Sequence, residues 1–165
     1  MATGQSTQLT RQIGEHLVAA KLGRLGYFAA PFAGNVPLFD LMATDDRGHA
    51  IPIQVKAING PSWQFRADSF LEIEIVEGVQ HIKGKKKLPN PDLVCIFVLL
   101  GADENDVFYV LQLKDIQEQL SITYKSRRRP KNPDLVHCAV WPKDLEPFKD
   151  NWALVATQFP AERDS

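Results

Sequence analysis

Apolar residues first recur at helical spacing. Ile13, Leu17 and Ala20 form one stripe, and Val18, Leu22 and Leu25 form a second. The spacing predicts a helix over about residues 10–25, capped by Thr7 or Thr10 and ended by Gly26. Two apolar stripes predict cover on both sides of it. The period then changes to two. Residues 27–32 and 38–44 are expected to be strands, parted by Gly34-Asn35-Val36-Pro37. Residues 45–49, Asp-Asp-Arg-Gly-His, supply the backbone freedom of a tight turn. A third strand over 50–58 alternates Ile51, Ile53 and Val55 with Pro52, Gln54 and Lys56.

Further along, residues 70–76 alternate like a strand with one wet face, and 78–90 form a basic loop. Residues 93–100 are a continuous apolar run, as in a strand buried on both faces near the middle of a sheet. A strand over 107–111, a short helix over 114–120, a second basic loop over 127–133 and a strand over 135–140 follow. A last helix over 145–152 would pack Trp152 onto the sheet. Helix, three strands, then mixed elements make an α/β chain whose mixed sheet is covered on both faces.

At 165 residues, with 44% apolar and 24% charged side chains, the chain fits one domain over 1–165 with a real core. The longest apolar run falls far short of the roughly 20 residues of a membrane helix, and the polar start has no signal core. A soluble, cytoplasmic protein is expected. A net charge of -1 argues against a non-specific DNA coat but allows local basic patches. Cys95 and Cys138 lie in apolar segments outside any CxxC pair and are expected to be buried thiols.

Three polar residues stand where folding alone would not put them. Asp40 interrupts an apolar run, and Gln54 and Lys56 share one face of the third strand. Buried polar groups need partners, so these should meet one another, a metal or water. If residues 38–44 and 50–56 form a hairpin about Arg47, Asp45 faces His49 and Asp40 faces Gln54. A shift of one residue would scatter the group. Glu15 lies on the Val18–Leu22 stripe, at its edge or reaching for a partner. Carboxylates with a backbone carbonyl can hold Mg²⁺, and a lysine beside them can orient or deprotonate a water. The alternative is a polar row on the surface of a strand pair.

Gly14-Glu15, Phe39-Asp40-Leu41 and Ile53-Gln54-Val55-Lys56, in helix–strand–hairpin order, resemble the PD-(D/E)XK nuclease superfamily. The likeness is greatest to its branch of Holliday-junction-resolvase-like proteins and group I intron homing endonucleases, and covers about residues 10–58. It implies a restriction-endonuclease-like three-layer core with a central mixed sheet flanked by helices. It also implies Mg²⁺-dependent hydrolysis of DNA, with Mn²⁺ able to substitute. By the resemblance, Asp40 binds the metal, Gln54 takes the position of the usual glutamate, Val55 offers its carbonyl oxygen, Lys56 is the catalytic lysine and Glu15 is the helix acid. Two departures stand out: Pro37 is not adjacent to Asp40, and Gln54 brings an oxygen without charge. The second leaves open a silent nuclease fold that binds nucleic acid or a partner protein.

Lys83, Lys85, Lys86 and Lys87 form one basic cluster, and Arg127, Arg128, Arg129 and Lys131 another. Each is either a solvated loop or a contact to the DNA backbone. Trp63 and Phe65 either stack on a base or pack in the core. No zinc spacing, phosphate loop or GxSxG elbow is present. Cutting two strands suggests a homodimer or higher homo-oligomer.

Overall fold

The computed structural model describes residues 4–33, 37–129 and 131–161. Helix α1 spans Gly4–Arg24. It leads into strands β1 (Phe28–Pro31), β2 (Leu41–Thr44) and β3 (Ala50–Ile58). Then come β4 (Trp63–Arg66), β5 (Leu71–Val76), β6 (Val79–Lys85), β7 (Val94–Leu99) and β8 (Val107–Gln112). Helix α2 (Leu113–Thr123), strands β9 (Arg127–Arg128) and β10 (His137–Val140), and helix α3 (Ala153–Thr157) complete the order.

The main sheet runs β1-β2-β3-β7-β8, antiparallel except for the parallel β3–β7 pair. Strand β7 has neighbours on both sides, and its alternate residues feed two separate cores. Val94, Ile96 and Val98 pack with Val18 and Leu22 of α1, whereas Cys95 and Phe97 pack with Ile116 and Leu120 of α2. This is a three-layer α/β arrangement, a mixed sheet between helices. Two smaller sheets pair β4 with β10 and join β5, β6 and β9. No helix among the described residues is long and apolar enough to cross a membrane.

Helix α1 departs from expectation at both its start and its faces. It begins well before Thr10, whose hydroxyl donates to the Ser6 carbonyl at 2.9 Å inside the helix, so neither threonine caps it. Only one stripe is buried: Thr10, Gly14, Val18 and Leu22, one every four residues. Ile13 is about half exposed and Ala20 is exposed, so the Ile13–Leu17–Ala20 stripe meets solvent, as does Leu25 at the end of the other. Burying a Val or Leu side chain contributes about 1.5–3 kcal/mol, enough for one stripe to anchor the helix. Gly14 sits where α1 crosses β3, and a Cβ there would collide with that of Ala57. Gly26, with φ of 95°, ends the turn after the helix.

Other expectations need correction. Within 78–90 only residues 86–90 are loop: β6 pairs antiparallel with β5 over Val79–Lys85, with a bulge at Glu72/Ile73. Arg127 and Arg128 pair with Gln80 and Val79, so they join the sheet that also carries Lys83 and Lys85. Residues 145–152 form no α-helix but a 3-10 turn over Glu146–Phe148, with α3 beginning at Ala153. Asp150 takes φ of 50°, which no right-handed helix accommodates. Trp152 still packs beside Phe108, with ring centroids 5.5 Å apart. Trp63 and Phe65 belong to the α2-side core, and Trp63 is 2% exposed, which excludes it as a base-stacking platform.

Candidate active site

Strands β2 and β3 pair from Thr44↔Ala50 to Leu41↔Ile53, the register expected from the turn at Arg47. The next pair in that frame would be Asp40 and Gln54, but the ladder stops there. The Asp40 amide donates to the Ile53 carbonyl at 2.9 Å, and the Val55 amide donates to Asp40 Oδ2 at 2.8 Å. The carboxylate thus replaces the missing strand partner of Val55 and is pinned at the fork. Amide and carbonyl of one strand residue leave the same strand edge, so the Val55 carbonyl shares the Asp40 side.

Asp40, Gln54, Val55 and Lys56 line one cavity of about 390 Å³, together with Thr7, Arg11, Trp63 and Gln64. The Trp63 indole donates to the Lys56 carbonyl at 2.8 Å and fixes the strand end behind the lysine. The Gln54 Oε1 lies 3.9 Å from Cys95 Sγ, on the neighbouring parallel strand. Burial pushes that thiol up to about 12, against the pull of Lys56, so Cys95 stays protonated and is a packing group rather than a nucleophile.

Glu15 does not line the cavity. It reaches Asp40 through Arg11, whose Nε donates to Glu15 Oε1 at 2.8 Å and whose Nη2 donates to Asp40 Oδ1 at 2.9 Å. The hydrogen bond to Glu15, together with the charge of Asp40, raises the guanidinium above its ordinary value, although partial burial opposes this. The close crossing at Gly14 lets one helix face carry Thr7, Arg11 and Glu15 to the strand fork. Arg11 was missed from sequence because it lies on a polar helix face, yet its place four residues before Glu15 was a readable signal.

The oxygen donors here are the Asp40 carboxylate, the Gln54 amide and the Val55 carbonyl. Such a set fits a hard divalent ion of the Mg²⁺ type, which takes one or two carboxylates and keeps several waters. Among the described residues, no three His, Cys, Asp or Glu side chains converge as a metal cluster.

The basic residues are partly engaged elsewhere. Lys83 pairs with Glu74 at 2.7 Å and Lys85 pairs with Glu118. Arg127 stacks 4.1 Å over the Tyr124 ring. Lys86, Lys87, Arg128 and Lys131 are exposed, and the backbone amide of Arg129 donates to Gly78.

No family model matches the chain, and no curated protein sequence does. Among solved structures, the bacterial homing endonuclease I-Ssp6803I aligns over 96% of this chain and 94% of its own, with TM-score 0.47 and 16% identity.

Proposed function

We propose that this chain is a single-domain, divalent-metal-dependent endonuclease acting on DNA. The supporting observation is the meeting of Asp40, Gln54, Val55 and Lys56 around one cavity at the β2–β3 fork. Asp40, Gln54 and the Val55 carbonyl would hold Mg²⁺ or Mn²⁺, with Glu15 adding charge from α1. The ion would acidify a bound water and offset charge on the phosphate. Lys56 orients the attacking water and stabilises the charge that develops on the phosphoryl oxygens. Lys86, Lys87, Arg128 and Lys131 contact the backbone on either side, with Lys83, Lys85, Arg127 and Arg129 behind them. A homodimer would present two such sites to a duplex.

The test is cleavage of plasmid and linear DNA with Mg²⁺ or Mn²⁺. Asp40→Ala and Lys56→Ala should each lower the rate by about a hundredfold or more. Undiminished cleavage by both variants removes the site. A second reading, a nuclease fold that binds DNA without cutting it, is favoured by the uncharged Gln54 and by the arginine already neutralising both acids. Intact DNA binding with no uptake of divalent metal would select it.

A further inference from the structure

We infer that Arg11 is the resting counter-ion of the candidate site and that a divalent cation must displace it to bind. This rests on the metal-site reading above. The Asp40 and Glu15 side chains are each only 12% exposed, and two such carboxylates side by side need a positive charge between them. Arg11 supplies it with two separate donors, one to each acid. Asp40 Oδ1, the oxygen that Arg11 holds, belongs to a carboxylate that lines the same cavity as Gln54. A guanidinium and a divalent ion on one carboxylate repel strongly at this range. The Arg11 side chain is 47% exposed, so water can receive the guanidinium once it leaves the two acids.

Metal uptake then carries the cost of breaking the charge-assisted hydrogen bonds from Arg11 to Glu15 and Asp40. Arg11→Gln removes the competing cation. Arg11→Lys keeps the charge but cannot reproduce a planar fork that spans two acids. The experiment is calorimetric titration of the intact protein with Mn²⁺, without DNA, for wild type and both variants, with thermal melts showing that each is folded. We expect Arg11→Gln to bind Mn²⁺ about tenfold tighter than wild type, and Arg11→Lys also to bind tighter than wild type. Equal affinity in Arg11→Gln and wild type overturns the inference and leaves the metal site standing. Weaker Mn²⁺ binding by Arg11→Gln than by wild type also overturns it, since Arg11 would then support the ion rather than compete with it. Absence of Mn²⁺ uptake in all three proteins removes the metal site itself, and this inference with it.

Discussion

A glutamine amide offers a metal an oxygen of the same reach as glutamate but no charge. Gln54→Glu should therefore tighten Mn²⁺ binding, by about tenfold, the scale of one strong charge-assisted contact. Calorimetry checks it, and weaker binding would place Gln54 outside the coordination sphere. Gly14 serves the same site by absence: adding a Cβ forces α1 away from Ala57 and carries Arg11 and Glu15 with it. Gly14→Ala should cost about 1–3 kcal/mol in urea unfolding. Asp45 is set by its turn. Burial raises its carboxyl, but hydrogen bonds from the His49 ring and backbone and from Arg47 bring it from 3.8 to about 2. A depressed carboxylate stabilises the fold above its unfolded value and loses that contribution as pH falls through its folded value. Melting of wild type and Asp45→Asn compared across pH should show a gap above 3.8 that closes towards about 2. A gap that is constant with pH would mean the turn does not depend on the charge. At this scale the sequence was legible wherever a polar residue interrupted an apolar run, as at Asp40, Gln54 and Lys56. It was opaque at Arg11, which looks like any exposed helix arginine until the strand fork brings Asp40 beneath it.

Elements were legible where one periodicity dominated. Strand β3 has the bounds its alternation predicted, and the β2–β3 turn sets the expected register. Strand β6 was hidden because its inward face is secured by a glutamine rather than an apolar side chain. Gln80 is fully buried, donates to the carbonyls of Pro133 at 2.6 Å and Leu135 at 3.0 Å, and accepts from the Tyr124 hydroxyl at 2.6 Å. No hydropathy pattern marks such a residue, because its burial depends on partners more than fifty positions away in two of its three bonds. Its loss strands three polar groups. Gln80→Leu should lower stability by about 3 kcal/mol or more, whereas Tyr124→Phe, which breaks one bond, should cost about 1 kcal/mol. Equilibrium denaturation of the two variants gives the comparison, and equal losses would deny Gln80 this pinning role.

For the molecule as a whole, net charge of -1 means that any grip on DNA must come from where the cations sit. The β6–β9 pairing puts Lys83 and Lys85 of one cluster and Arg127 and Arg128 of the other, far apart in sequence, in one small sheet, with Lys86 and Lys87 just past the end of β6. Their members are not equivalent. Lys83 and Lys85 are already paired with Glu74 and Glu118, so releasing them to a phosphate costs those contacts. Lys86 and Lys87 are exposed, form no salt bridge among the described residues, and are ready to replace phosphate counterions. Each phosphate contact contributes about 0.9 to the slope of log affinity against log salt on duplex DNA. Lys86→Ala with Lys87→Ala should therefore weaken duplex binding and reduce that slope by about 2. Lys83→Ala with Lys85→Ala should change it less, because the freed Glu74 and Glu118 are the main result. Fluorescence anisotropy across a salt series separates the two pairs. A slope unchanged in both would move the DNA path off this sheet, and since neither pair touches the Asp40 carboxylate, cleavage chemistry measured at saturating DNA should survive in both.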